Sequence, residues 1–212
     1  RFTTLPGRIS VLYVKQNATG SADGTSWENA FTDLNAALSI ARSINQLYGI
    51  RVTVLVAEGI YSGNTSLSYA FAPVDGVDLY GGFVGNEVYS DSIISNRDFR
   101  NHSTILNGQY SQTVIWQEND FVEGCRWDGF TIQSGVSWSN NPGGAGLRNG
   151  FTLSNCSVQN CQSQEGPGGI EMHHATVENC EVSYCTTYEG ACGGIFADQS
   201  TIRNVNVNNC TS

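Results

Sequence analysis

Basic residues are the first scarcity: Lys15 is the single lysine, and ten basic residues scattered singly face nineteen acidic ones, for a formal charge of −9. A nucleic-acid partner needs a basic stripe to neutralise phosphates, so none is expected. No apolar run approaches the roughly 20 residues that cross a bilayer, and no basic amphipathic segment suits its surface, so no transmembrane segment is expected either. Proline numbers four and methionine one, whereas glycine numbers 24 and Asn, Ser and Thr are plentiful. That mixture fits many short strands joined by tight corners and does not fit a helical protein. At 212 residues and 40% hydrophobic content the chain is long enough for one domain with a real core. Seven cysteines, an odd number, leave at least one without an intramolecular partner. The chain starts at Arg1 without a Met and stops at Ser212 inside a repeat, so it reads as a processed or trimmed piece with no signal peptide visible.

The C-terminal third matches itself. GGAGLRNGFTLSNCSVQNCQSQ from Gly143, GGIEMHHATVENCEVSYCTTYE from Gly168 and GGIFADQSTIRNVNVNNCTS from Gly193 align in columns. Leu153, Val177 and Ile202 are 24 and 25 residues apart, as are Asn155, Asn179 and Asn204, then Val158, Val182 and Val207, and then Cys161, Cys185 and Cys210. A looser copy, CRWDGFTIQSG, places Ile132 26 residues before Val158. Within each copy apolar residues alternate over short stretches broken by Gly or Asn, which is the signature of short strands. A unit of about 24 residues cannot bury its own apolar face, so successive units must stack in parallel, about 4.8 Å apart. The expected fold is all-β, a single-stranded parallel β-helix whose equivalent side chains form ladders along the axis. The Asn column is expected at a corner, where Asn tolerates left-handed backbone and its amide can bond the neighbour above.

The first third differs. Leu12-Tyr13-Val14 reads as a strand and Arg51 to Ala57 as another, strongly apolar one. Between them, residues 33–47 place Leu34, Ala37, Leu38, Ala41 and Ile44 on one helical face, with Thr32 as N-cap. A helix here can cover the open end of a solenoid. Residues 1–60 are therefore expected to form an N-terminal cap with a capping α-helix. Residues 61–212 form the β-helix, irregular in its early coils over 61–122 and truncated at the C-terminus.

The runs LYVKQNATGSADGTSWENAFTDLNAAL, VTVLVAEGIYSG and VDLYGGFVGNE, then Arg97, STILNG, WDGFTIQSG and the GG and N-C repeats resemble bacterial secreted and cell-surface β-helix proteins of the pectin-lyase-like class. The resemblance covers nearly the whole chain. The GG[AI] and N-C-x-V elements are also similar to those of polymorphic outer-membrane adhesins. It implies a right-handed β-helix at the bacterial surface or outside the cell, with a polysaccharide or a surface protein as partner. Such a likeness identifies a scaffold more strongly than an activity. The polygalacturonase-like motifs N-T-D, D-D, G-H-G and R-I-K are absent, as are the phosphate loop, G-x-S-x-G and H-E-x-x-H. A pectate-lyase-like enzyme would need calcium-binding acids beside an Arg or Lys base. Arg126, Arg148 and Arg203 fall in different columns, and no acid cluster is expected around them.

The loops 134–143, 162–168 and 186–191 follow the second Cys column, so they emerge at one corner and bring Trp138, Glu165, Tyr188 and Glu189 together. Glu165 and Glu189 are 24 residues, one coil, apart. Carboxylates about 5 Å apart could serve as a glycosidase pair or bind Ca²⁺, the one cofactor the sequence suggests. Exposed rings beside carboxylates and amides also suit a sugar, which stacks on one and hydrogen-bonds the other. The plainer reading is a hydrated polar loop.

Cys156 and Cys180 share one column and Cys161, Cys185 and Cys210 another. A Cys161–Cys185 disulfide fits stacked coils, but the preferred reading is thiols filling inward slots as small apolar groups. Cys125 and Cys192 fit no column. His173 with Asp198, and Glu178 with Arg203, are expected as exterior ion pairs between coils. Glu87 and Arg97 are expected to pair across an early loop. His173-His174 lacks a third ligand, so no metal site is assigned. The favoured function is a noncatalytic domain that binds glycan or a surface partner, or serves as an adhesin-like stalk. The alternative is a polysaccharide lyase or glycoside hydrolase.

Overall fold

Short alternating runs give short strands, and corners every few residues turn them into coils. The computed structural model describes residues 10–90, 92–190 and 192–212. Residues 1–9 of the expected cap, Asp91, and Ala191 at the end of the third corner loop lie outside the described residues. The chain forms a right-handed parallel β-helix of about six turns.

Strands stack into four sheets, every neighbour parallel. The first sheet holds Val11–Val14, Val52–Ala57, Val77–Phe83, Cys125–Asp128, Phe151–Ser154, Thr176–Glu178 and Thr201–Arg203. The second holds Gly59–Ser62, Thr104–Asn107, Phe130–Gln133, Ser157–Gln159, Glu181–Ser183 and Asn206–Asn208. The third is short, with Val136–Ser137, Gln162–Ser163 and Thr186–Thr187. The fourth holds Tyr69–Phe71, Thr113–Trp116, Ala145–Leu147, Ile170–His173 and Ile195–Asp198.

The expected columns are the observed register. Leu153 pairs with Val177 and Val177 with Ile202, and Ile132, Val158, Val182 and Val207 form another line. Leu153, Val177, Ile132, Val158 and Val182 are buried, with Trp127, Phe130 and Phe151 packed around one another in the same core. In the coil of residues 201–212 the same columns are less enclosed: Ile202 and Val207 are each 47% exposed.

Asn155, Asn179 and Asn204 turn one corner with φ of 52°, 53° and 49°, the left-handed region that Asn tolerates best after Gly. Asn160, Tyr184 and Asn209 turn the next with φ of 52°, 53° and 51°. The GG repeats have a different cause. A Cβ on Gly143, Gly168 or Gly193 would lie 2.3, 2.5 or 2.1 Å from backbone of the neighbouring coil, so only glycine allows the approach.

The cysteine columns close these corners. Each thiol donates to the carbonyl two residues back, Cys156 to Ser154 at 3.0 Å, Cys180 to Glu178 at 3.1 Å, Cys161 to Gln159 at 3.2 Å and Cys185 to Ser183 at 3.4 Å. In the first column the sulfur also accepts a backbone N–H from the preceding coil, Phe130 to Cys156 and Cys156 to Cys180, both at 3.4 Å. All seven cysteines are free thiols, and Cys161 and Cys185 are not bridged. Cys125, which matched no cysteine column, pairs with Phe151 and is buried on the first sheet's inner side. Burial holds the Cys125 and Cys156 thiols well above their ordinary pKa.

At the N-terminal end α1, Leu34–Tyr48, lays Leu34, Ala37, Leu38 and Ala41 on the core, with Ile44 packed beside them. Its N-cap is Asp33, one residue beyond the expected Thr32: the Asp33 carboxylate accepts the Ala36 N–H at 2.7 Å. The helix covers the core but not the strand edge. That edge is covered by the preceding turn, where Lys15 N–H donates to Phe31 and Phe31 N–H returns to Tyr13, at 2.8 and 2.9 Å.

Candidate functional site

The third sheet carries the corner loops named from the sequence. Ser137, Ser163 and Thr187 pair in register and point inward, so the residues that follow, Trp138, Gln164 and Tyr188, form an outward column. The backbone ladder continues past the strands, with Tyr188 N–H on Ser163 at 3.1 Å and Glu189 N–H on Gln164 at 2.7 Å. Buried hydroxyls hold the turns: Ser163 Oγ donates to Asn141 at 2.7 Å and accepts Gly166 N–H at 3.0 Å, and Thr187 Oγ1 accepts Gly190 N–H at 3.0 Å. Trp138 is 74% and Tyr188 57% exposed. Two coils separate the rings, about 10 Å along the axis. Between them Gln164 Nε2 donates to Glu189 Oε1 at 2.6 Å, and Tyr188 hydroxyl donates to Gln162 Oε1 at 3.2 Å. Glu165 is exposed on the coil next to Glu189. The four residues therefore share one rigidly backed corner. Among the described residues, no three His, Cys, Asp or Glu side chains cluster as metal ligands.

A second constellation was missed in the sequence and corrects three expectations. Arg126 is surrounded by acids on the outer face of the first sheet: its backbone N–H donates to Asp78 at 2.7 Å, and its guanidinium lies 3.0 Å from Glu178 and 3.7 Å from Asp128. Glu178, expected to pair with Arg203, is next to it in register but gives its carboxylate to Arg126. Arg97, expected to pair with Glu87, is buried against Asp128 and donates Nε to Gly81 at 2.8 Å. Glu87 instead accepts the backbone N–H groups of Val84, Gly85 and Asn86. Arg51 grips Asp78 with two bonds of 2.6 Å. Asn155 Nδ2 donates to both Asp128 oxygens at 3.0 Å. Every carboxylate in the cluster accepts charge-assisted bonds and none stands free as a base, so the arrangement binds coils together. The expected His173 and Asp198 pair is present at 3.5 Å, with Glu171 at 3.0 Å on the other ring nitrogen.

A groove of about 430 Å³ follows the corner between the first and second sheets. Phe99, Arg100 and Ser103 wall one end, and Asn155, Ser157, Asn179, Glu181 and Asn204 line the successive coils. No signal short of the fold itself marks it, because loop 99–103 reaches it from outside the repeat.

No family model, no curated protein and no solved structure matches the chain.

Proposed function

We propose that this is a bacterial secreted or cell-surface domain, pectin-lyase-like in scaffold, that binds glycan or a glycan-bearing surface partner without chemistry. The observation that carries the reading is the pair of exposed rings, Trp138 and Tyr188, held on one column two coils apart with Gln164 between them and Glu189 hydrogen-bonded to it. Flat apolar faces alternating with amide and carboxylate groups match the two faces of a sugar. Residues 134–143, 162–168 and 186–190 contain no Lys or Arg, which favours neutral over acidic glycans. In glycan-array or affinity-gel binding, Trp138→Ala and Tyr188→Ala are each expected to weaken retention about tenfold, near 1.4 kcal/mol. Unchanged retention in both variants would remove the site.

Glu165 and Glu189, one coil apart, favour the lyase or hydrolase alternative. Incubation with acidic polysaccharides, with and without Ca²⁺, followed by assay of unsaturated and reducing ends, separates the two. Product formation abolished by Glu165→Gln or Glu189→Gln would establish the enzyme.

A further inference from the structure

The asparagine ladder is interrupted inside the corner groove. Asn204 Nδ2 donates to Asn179 Oδ1 at 2.9 Å, as a ladder requires. The next rung is not made. One coil before Asn155 the column is occupied by Gly129, φ 82°, which has no amide to offer. Asn155 turns its Nδ2 to Asp128 instead. Among the described residues, Asn179 Nδ2 and Asn155 Oδ1 then have no protein hydrogen-bond partner, leaving a donor on an exposed side chain and an acceptor on a half-buried one, on adjacent coils of one groove.

The remaining lining limits what could fill that gap. Arg100 and Glu181 are exposed and, among the described residues, form no ion pair, so the groove offers one charge of each sign. Thr131, Ser103 and Ser157 add hydroxyls. An apolar ligand would strand these polar groups. A phosphate or sulfate would meet one cation and be repelled by Glu181. A hydroxyl both donates and accepts, so it can bridge the open rung. The volume of about 430 Å³ lies within the range of small-ligand sites.

We infer that this groove is a second glycan site, taking a neutral oligosaccharide laid along the solenoid axis. One sugar hydroxyl accepts from Asn179 Nδ2 and donates to Asn155 Oδ1, and others meet Arg100 and Glu181. The site is independent of Trp138 and Tyr188, which stand at the far end of the second-sheet strands.

The test is NMR titration of the side-chain amides with neutral xylo-, manno- and gluco-oligosaccharides in turn. At least one is expected to shift the Asn155 and Asn179 amides saturably. Asn179→Gly keeps the left-handed corner and removes the amide, and is expected to weaken binding about tenfold. Glu181→Ala, at an exposed position, is expected to weaken it several-fold, and Trp138→Ala to leave it unchanged. Failure of all three series to move these amides would overturn the site, as would undiminished binding by Asn179→Gly. Shifts lost in Trp138→Ala would place the sugar at the corner loops alone, leaving the proposed function standing and this inference refuted. Tighter binding of a sulfated oligosaccharide would refute the neutral class.

Discussion

The coils before Cys125 and those after it are held together in different ways. After it, the coils repeat the same small devices: a left-handed corner, an apolar residue directly over its equivalent and, from Phe151 on, a thiol that closes a corner. Before it, the first and second sheets are joined by a long excursion, residues 84–103, and the joints are single strong contacts. Arg97 is buried on Asp128, Arg51 grips Asp78, and Thr104 Oγ1 accepts the Gly82 N–H at 2.9 Å. A regular solenoid spreads its stability over near-identical neighbours, whereas an irregular one concentrates it in a few charged or buried polar partners.

That contrast can be broken most directly at Asp128. Removing the carboxylate leaves the Arg97 guanidinium buried without its counter-charge, and Asp128→Ala is expected to cost about 3–5 kcal/mol in urea unfolding. A loss below 1 kcal/mol would show that the charged joint is incidental. A comparison within the repeat comes next. Leu153→Ala, deep in its column, is expected to cost about 2–5 kcal/mol. Ile202→Ala, in the same column but half exposed, should cost about 1 kcal/mol or less. Equal losses would mean that the coil of Ile202 is covered as well as the inner ones. The smallest effect is expected at the corners. Cys180→Val removes the sulfur that accepts the Cys156 N–H, imitates Val205 in the next coil, and should cost about 1 kcal/mol. A stabilised variant would show that the thiols are filler and their hydrogen bonds idle.

The repeat was legible because the same residue types return after 24 or 25 positions, and parallel stacking converts that interval directly into contact. That interval alone sets Asn179 over Asn204 and Trp138 on the same corner as Tyr188. Pairing by long charged side chains was not legible. Arg126 reaches past Ser154 to Glu178, 52 residues away, so nearest-coil logic selects the wrong partner. Asp78 lies 48 residues before Arg126, across the excursion that carries Arg97, where no interval is preserved. Glu87 was lost to local competition, since three backbone N–H groups of its own turn lie closer than any arginine. The helix start moved by one residue for a similar reason: Thr32 and Asp33 can both cap, and the Asp33 carboxylate reaches Ala36 N–H.

The parallel ladders have a mechanical corollary. Bonds between coils lie along the rod, so tension applied lengthwise opens them in turn instead of shearing them all at once. Each turn released lengthens the chain by about 80 Å at full extension. Under load such a rod pays out slack loop by loop while the remainder keeps its shape.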